Sequence, residues 1–204
     1  MDLHISDLYS FDHSFHKPLF LENPLWNPLI QLLSYLQSFP LGKIEGTISS
    51  QAILINPHLI FIGENSLVEG GAYIEGPCYI GKECVIRHGA YIRGGALIGD
   101  RAVVGHSTEI KHSILLEDAK APHFNYVGDS IIGQRSNLGA GAITANLRLD
   151  KGLVRVSGLE TPLRKLGVLM GDDVQVGCNV VMNPGTVIRK NTIIPPCQAI
   201  KGVI

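Results

Sequence analysis

Basic side chains spaced eighteen residues apart are the first candidates for chemistry in this sequence. Arg93 and Lys111 have this spacing, and Glu75 lies eighteen residues before Arg93. If the chain repeats its path every eighteen residues, the three side chains form one outward column in which two like charges adjoin, which is unfavourable without a counter-ion. Either Glu75 pairs with Arg93 while Lys111 turns into water, or the two cations clamp a phosphate, to which Arg offers a planar fork and Lys a point charge.

A second group of polar side chains lies in residues 122–129. His123 is the natural proton acceptor near neutral pH, and Asn125, Tyr126 and Asp129 accompany it. One interpretation is a general base beside groups that bind a ligand. The other is a structural histidine that hydrogen-bonds a neighbouring carbonyl, and the residue types alone leave both open.

Three histidines also raise the possibility of a metal site. His88 and His106 are eighteen residues apart, and His123 follows seventeen residues later. Histidines on neighbouring coils can ligate zinc. His123 lies beyond an interruption of the repeat, however, and need not share the column of the other two. We therefore interpret His88 and His106 as surface histidines and predict no metal site.

A run of small residues at 138–142 offers a third surface. Asn137 precedes it and Asn146 follows it. Backbone donors on such a surface could hold a phosphate or a pantetheine chain. The same composition is equally that of an ordinary glycine corner.

The element that must position these groups is a six-residue repeat. An aliphatic residue recurs at every sixth position, a period typical of a parallel β-helix rather than of one strand or one helix. The inward positions are Ile62, Val68, Ile74, Ile80, Ile86, Ile92, Ile98, Val104, Ile110 and Leu116. Three six-residue faces make one coil, so residues eighteen apart are expected to stack at about 4.8 Å.

The repeat is interrupted twice. After Leu116 the register fails at Pro122 and Gly128, and it resumes at Ile132 with a displacement of four residues. A basic segment at 147–167 reads as an excursion, after which the ladder returns. Breaking a regular ladder costs backbone pairing, so we expect functional groups near the breaks. The earlier positions Ile44, Ile48, Leu54 and Ile60 are expected to keep the phase of the ladder.

Residues 1–43 differ from the rest of the chain and are predicted to form an N-terminal helical cap, with the β-helix domain at 44–204. Asn27 followed by Pro28 is typical of a helix start, and leucines then follow at helical spacing until Pro40 and Gly42. We expect this helix to cover the first coil, because an open solenoid end exposes core and unpaired strand edges.

The bulk composition narrows the function classes. A formal net charge of −1 argues against nucleic acid as a partner, and no apolar stretch approaches the ~20 residues of a membrane span. No signal peptide is visible. The four cysteines form no CxxC pair, and Cys78 and Cys84 occupy small interior positions, where we expect buried free thiols. These features predict a soluble, cytoplasmic protein.

Beyond this general architecture, one stretch resembles a specific family. The residues HFNYVGDSIIG at 123–133, NLGAG at 137–141 and TAN at 144–146 are similar to the acetyltransferase domain of N-acetylglucosamine-1-phosphate uridyltransferase / glucosamine-1-phosphate acetyltransferase. The resemblance continues upstream through EIK at 109–111 to Arg93 and covers about residues 44–200. The excursion and the helical N-terminal segment resemble the C-terminal portions of related sugar-1-phosphate nucleotidylyltransferases.

The resemblance implies an all-β fold, a single-stranded left-handed parallel β-helix of hexapeptide repeats, and a homotrimer with acetyl-CoA along the prism wall between subunits. It matches His123 to the general base and Glu109 to a residue that orients this histidine. The positions matched to sugar-phosphate binding are Arg93, Lys111, Tyr126 and Asn137, which favours the phosphate clamp. The positions matched to acetyl-CoA binding are Ala140, Asn146, Leu147 and Cys178.

The implied function is acetyl transfer from acetyl-CoA to the amino group of an amino-sugar 1-phosphate, with glucosamine 1-phosphate preferred, for UDP-N-acetylglucosamine synthesis. This sequence has Leu147 where the family usually has an aromatic residue, and Cys178 where it has serine. No glycine-rich nucleotide loop occurs in residues 1–43, so we expect a separate nucleotidyltransferase chain to make the nucleotide sugar. The alternative is a non-catalytic sugar-phosphate-binding or trimerisation module.

Overall fold

The computed structural model describes residues 3–11, 14–21 and 24–204, so residues 1–2, 12–13 and 22–23 of the predicted N-terminal cap lie outside the described residues. Short strands wind around three faces. In chain order the strands are β1 Thr47–Ile48, β2 Ile53–Ile55, β3 Ile60–Ile62, β4 Leu67–Val68, β5 Tyr73–Glu75, β6 Cys78–Ile80, β7 Val85–Ile86, β8 Tyr91–Ile92, β9 Ala96–Ile98, β10 Val103–His106, β11 Glu109–Lys111, β12 Ile114–Leu115, β13 Lys120–His123, β14 Tyr126–Gly128, β15 Ile131–Ile132, β16 Asn137–Leu138, β17 Ile143–Thr144, β18 Arg155–Val156, β19 Leu159–Glu160, β20 Val168–Met170, β21 Gln175–Val176, β22 Val181–Met182, β23 Thr186–Ile188, β24 Ile193–Ile194 and β25 Ala199–Ile200.

All of these strands except β18 and β19 form three parallel sheets, which we call the first, second and third faces. The first face has the order β1-β4-β7-β10-β13-β16-β21-β24, the second β2-β5-β8-β11-β14-β17-β22-β25, and the third β3-β6-β9-β12-β15-β20-β23. We call the corner from the first to the second face the first corner, and that from the second to the third face the second corner. The predicted left-handed parallel β-helix is confirmed.

The predicted ladder fills the prism interior from Ile62 to Ile110. Each of these aliphatic side chains is fully buried, and the small residues between them, such as Ala72 and Ala90, share the same core. Cys78 and Cys84 are buried free thiols as predicted. Burial raises the pKa of both thiols to about 12, which keeps them protonated and inert.

The first interruption is not an irregular coil. Leu115, not Leu116, pairs with Ile98 and faces inward, and Ala121 and Val127 continue the ladder with a spacing of seventeen residues. The prediction for Leu116 is therefore wrong; this side chain lies outside the prism in a separate core. Two coils have simply lost one residue each at the second corner, and the two deletions together account for the shifted register.

Of the earliest repeat positions, Ile44 keeps the predicted phase and pairs with Ile62, but the phase predicted for the other three is wrong. Ile48 pairs with Val68 and Leu54 with Ile74, both twenty residues apart, because the 3₁₀ turn Pro57–Leu59 lengthens this coil. Ile60 pairs with Cys78 and therefore occupies a small-residue position.

The predicted helix forms as α1, Asn27–Leu36, but it does not cover the end of the first coil. It packs on the outer side of the third face in a second core, which also takes up the 3₁₀ turns Ile5–Asp7 and Lys17–Phe20 and their neighbours. The third-face members of the second core are Phe61, Tyr79, Leu97, Ile114, Ile131, Leu169 and Val187. These strands are apolar on both sides, as expected for parallel strands covered on both sides.

The excursion at 147–167 folds back on the same face. It contains the antiparallel hairpin β18–β19, in which Arg155 opposes Glu160, and it buries Val154, Val156 and Leu166 in the second core. The division of the chain at residue 43 stays a prediction. Within the described ranges, the structure contains no helix with the length and apolar character needed to cross a bilayer.

Candidate functional site

The candidate site lies across the second face. Tyr91, Glu109, Tyr126 and Ile143 are register neighbours in β8, β11, β14 and β17 and point outward. Arg93 and Lys111 follow this column at the second corner on adjacent coils, where the backbone N–H of Arg93 donates to the carbonyl of Ile110 at 2.9 Å. The stacking predicted from the eighteen-residue spacing is confirmed.

Each of the two cations is held by a carboxylate outside the predicted column of Glu75, Arg93 and Lys111, although Asp129 lies eighteen residues after Lys111. Arg93 Nη1 lies 3.0 Å from Glu109 Oε1, and Lys111 Nζ lies 2.9 Å from Asp129 Oδ2. The alternative in which Glu75 pairs with Arg93 and Lys111 turns into water is wrong on both points, because these carboxylates are nearer and the Lys111 side chain is only 19 % exposed. The hydrogen bond from Arg93 to Glu109 raises the pKa of the guanidinium.

Asp129 is the most connected side chain of the site. It is nearly buried and accepts hydrogen bonds from Lys111, from Asn146 Nδ2 and from His112 Nδ1, the last at 3.2 Å. Burial alone would raise the pKa of Asp129, but the bonds from His112 and Lys111 outweigh it and hold this pKa below its usual value. The carboxylate is therefore ionised at neutral pH.

Tyr126 lies between Asp129 and Glu109. Its hydroxyl oxygen accepts a hydrogen bond from Asn146 Nδ2 at 3.2 Å. Burial raises the pKa of Tyr126, the charge of Glu109 adds to this effect, and the Asn146 bond opposes it. The phenol is thus a neutral hydroxyl donor on the second face.

His123 lies at the first corner with an exposed side chain. Its backbone N–H donates to Asn125 Oδ1 at 3.1 Å, and the buried Asn125 donates to the carbonyl of Gly139 at 2.7 Å. Across the described part of the chain, nothing hydrogen-bonds the His123 ring, which leaves its nitrogens open to a substrate. The resemblance matched Glu109 to a residue that orients His123, but Glu109 contacts Arg93 instead.

The prediction that His123 need not share the column of the other histidines is wrong. His106 and His123 are register partners, because the shortened coils keep the first face aligned. The rings of His88 and His106 stack face to face, 6.1 Å apart and 8° from parallel, so their in-plane lone pairs do not converge. In the described ranges, no group of three His, Cys, Asp or Glu side chains could hold a metal ion.

The predicted coenzyme residues fall into two places. Ala140 and Cys178 continue the His123 corner on the next coils: the N–H of Gly141 donates to the carbonyl of His123, and that of Asn179 to the carbonyl of Ala140. Gly141 has φ +71°, so this run is also a true glycine corner. Asn146 lies at the second corner instead.

Leu147 also lies at the second corner, where it forms an isolated bridge with Lys165. It lines a cavity of about 460 Å³ together with Ala145, Leu149 and Pro184. Asn137 lies apart from these groups, in β16 of the first face, between Lys120 and Gln175. The structure thus brings together the cations, Tyr126, Asp129 and Asn146, and places His123 at the opposite end of the second face.

His112 was missed by sequence reasoning. It enters the site because the second corner is one residue shorter here. In the aliphatic pattern, this deletion is visible only as a shift of register. The charged pair Lys111-His112, one coil before an aspartate, is the only signal that the sequence carries.

The fold and this site define a hexapeptide-repeat left-handed β-helix with a polar second face. The chain belongs to the GMPPB C-terminal domain family, whose model matches residues 74–203.

Two relatives are bifunctional proteins. One is bifunctional protein GlmU of Methanococcus maripaludis strain C7, 48 % identical over 85 residues, which are 40 % of this chain and 21 % of that protein. The other is a bifunctional sugar-1-phosphate nucleotidylyltransferase/acetyltransferase of Sulfurisphaera tokodaii, 42 % identical over 80 residues, which are 37 % of this chain and 20 % of that protein. The match thus spans about a fifth of the length of these relatives.

Among solved structures, a putative acetyltransferase of Bacillus cereus has a TM-score of 0.35 and 20 % identity. The alignment covers 74 % of this chain and 69 % of that one.

Proposed function

We propose that this chain is an N-acetyltransferase that moves an acetyl group from acetyl-CoA to the amino group of an amino-sugar 1-phosphate, with glucosamine 1-phosphate as the preferred acceptor. The observation that carries the proposal is the second face: two cations on adjacent coils at one end, a neutral tyrosine between, and a histidine with a free ring at the other end. The name of the Sulfurisphaera tokodaii relative, a bifunctional sugar-1-phosphate nucleotidylyltransferase/acetyltransferase, supports the reaction class.

The span of the second face suits such an acceptor. Five register positions separate the level of His123 from that of Lys111, which is at most about 17 Å of extended backbone. The Arg93 side chain extends from the second corner back to Glu109 on the second face, and Asp129 holds Lys111 at that corner. The imidazole of His123 would extend over the face from the first corner. A phosphate at the cations would then leave the amino group of the sugar near His123.

The residues also fit an acyl-coenzyme A. The corner at Gly139–Gly141, beside His123, carries no side chain larger than a methyl group. The cavity at Leu147 offers an apolar surface at the second corner, where Asn146 also lies. Bound acetyl-CoA would supply an acetyl group on a thiol leaving group. His123 removes a proton from the sugar nitrogen as the new C–N bond forms, and returns this proton to the sulfur as the C–S bond breaks.

Arg93 and Lys111 bind the phosphate through their N–H donors. Lys has three N–H donors, so Lys111 can keep Asp129 and still donate to phosphate oxygens. Arg has five, and Arg93 can exchange its partly exposed partner Glu109 for the phosphate. Tyr126 donates its phenolic proton to the same oxygens or to a sugar hydroxyl. These three side chains would fix the acceptor before the proton transfer at His123.

The decisive experiment is thiol release from acetyl-CoA with glucosamine 1-phosphate, for the wild type, His123→Ala and His88→Ala. Loss of a general base should lower kcat by about 10²- to 10⁴-fold, whereas His88→Ala, in the same column two coils away, should keep the wild-type rate. Equal rates for the wild type and His123→Ala would disprove general-base catalysis by His123.

A non-catalytic sugar-phosphate-binding or trimerisation module is the second candidate. The observation in its favour is that Glu109 neutralises Arg93 and does not touch His123. Calorimetry separates the two: glucosamine 1-phosphate binding without acetyl-CoA binding supports the module and counts against the enzyme.

The assembly is part of the same proposal. The outward column of the second face carries exposed apolar side chains, such as Ile53 and Ile143, and a homotrimer would cover them. Sedimentation equilibrium at three times the chain mass is the expected result. Location in the cytoplasm and a separate nucleotidyltransferase partner remain predictions.

A further inference from the structure

We propose that Asp129 is a positioning residue that aligns both substrate-binding halves of the site at once: Lys111 for the sugar phosphate, and Asn146 for the acyl donor. The inference rests on the proposed function and deepens it. The resemblance assigns no catalytic or binding role to Asp129 or to its third partner, His112.

The backbone fixes Asp129 from both sides. Its N–H donates to the carbonyl of Lys111 at 2.9 Å, and its carbonyl accepts from the N–H of Gly167 at 2.8 Å. Its φ of +47° lies in the left-handed region, where aspartate is one of the few side chains tolerated. The carboxylate is therefore held at the shortened second corner, only 6 % exposed.

Lys111 is the first group that the Asp129 carboxylate orients. Its side chain is largely buried, so it cannot wander in solvent as a surface lysine does. One of its three ammonium protons lies on Asp129 Oδ2, and tetrahedral geometry directs the other two away from the carboxylate. A phosphate at Arg93 meets an ammonium whose direction is already set.

Asn146 is the second group. An ionised carboxylate only accepts hydrogen bonds, so the bond to Asp129 requires the NH₂ end of the Asn146 amide to face it. The same NH₂ donates to the Tyr126 hydroxyl. The amide oxygen is left without a partner among the described residues, and it faces away from Asp129 as an acceptor for a ligand N–H, such as those of a pantetheine chain.

His112 completes the arrangement. Because an ionised carboxylate only accepts hydrogen bonds, Nδ1 of His112 carries the proton that it shares with Asp129 Oδ1. The ring lies against Gly95, where an added Cβ would be 3.1 Å from His112 Cδ2. Gly95 is therefore the residue that leaves space for this ring, and His112 holds the second oxygen of Asp129 in place.

If Asp129 orients both groups, one substitution at Asp129 should weaken the binding of both substrates. Lys111→Met should raise KM for glucosamine 1-phosphate alone, and Asn146→Ala should raise KM for acetyl-CoA alone. Asp129→Asn keeps the shape but removes the charge that orients both groups. It should raise both KM values by about tenfold or more and change kcat by less than about threefold, since His123 is untouched.

Asp173→Asn is the matched control. Asp173 pairs with Arg135 on the opposite side of the prism, so this variant should keep both KM values. Asp129→Glu, with the charge one methylene further out, should recover part of the affinity that Asp129→Asn loses. A purely structural role would lower the melting temperature and the active fraction without changing either KM.

Failure of the inference and failure of the proposed function give different results. If the wild type transfers acetyl and Asp129→Asn leaves either KM unchanged, the positioning role of Asp129 is disproved while the proposed function stands. If the wild type transfers no acetyl, the function fails, and calorimetry decides the rest. Weaker glucosamine 1-phosphate binding by Asp129→Asn than by the wild type then supports the positioning of Lys111, and equal or absent binding overturns it.

Discussion

At the residue scale, carboxylates at the second face do more than balance charge. Glu109 and Asp129 each hold one cation of the proposed clamp, yet their settings differ. The Arg93–Glu109 pair is partly exposed, with 41 % and 31 % of the side chains accessible, whereas the Asp129 carboxylate is nearly buried. An exposed pair is weak and exchangeable, so Glu109 is the partner that a phosphate displaces, and Asp129 is the one that stays.

Glu109→Gln tests this difference. Removing the competing charge should tighten glucosamine 1-phosphate binding by about two- to fivefold, measured by calorimetry at low salt. Glu75→Gln is the matched control, because Glu75 lies one coil before Arg93 and makes no ion pair within the described part of the chain. Weaker binding by Glu109→Gln would contradict a displaceable partner and favour Glu109 as a direct ligand contact.

At the element scale, the length of each corner determines which side chains of neighbouring coils lie close together. The ladder predicted the inward residues correctly up to Ile110, because core packing allows one pattern only. It missed the shortened second corner, since losing one residue there leaves the aliphatic spacing on either side intact. Lys111 could therefore be placed from the repeat, whereas Tyr126 lies beyond the break and was assigned by the resemblance alone. The convergence of His112 and Asp129 depends on the shortened corner.

The glycine corner beside His123 provides a stability test of the element. Gly141 has φ +71°, and an added Cβ would lie 2.3 Å from Asn179 Oδ1; Gly158 has φ +85° with nothing within 4 Å. Gly158→Ala should therefore cost about 1 kcal/mol from backbone strain alone. Gly141→Ala should cost up to about 1 kcal/mol more in chemical denaturation, because the Asn179 amide and the Phe124 ring must move aside. Equal costs would mean that these side chains move aside freely.

At the scale of the whole molecule, the second core makes the third face part of the interior. The sequence predicted a helix but not its location, because the apolar outer residues of the third face look like scattered surface positions until the strands are assembled. Leu97 and Leu67 both point outward from the prism, but Leu97 is fully buried under the N-terminal segment and Leu67 is 41 % exposed.

Leu97→Ala should therefore behave as a core truncation and lower the free energy of unfolding by about 3 kcal/mol. Leu67→Ala should cost under about 1 kcal/mol. Both are measured by thermal and urea unfolding, with one cooperative transition expected for each. Similar costs for the two variants would show that the N-terminal segment does not cover the third face.

The covering of the third face also has a consequence for the order of folding. The N–H of Ser10 donates to the carboxylate of Asp172, 162 residues further along the chain, and the carbonyl of Leu8 accepts from the N–H of the same aspartate. Leu8 and Ser10 are therefore synthesised long before the coil that they contact. Until the coil of Asp172 exists, a nascent chain carries an uncovered apolar segment, and closing so long a loop makes its docking a late and slow step.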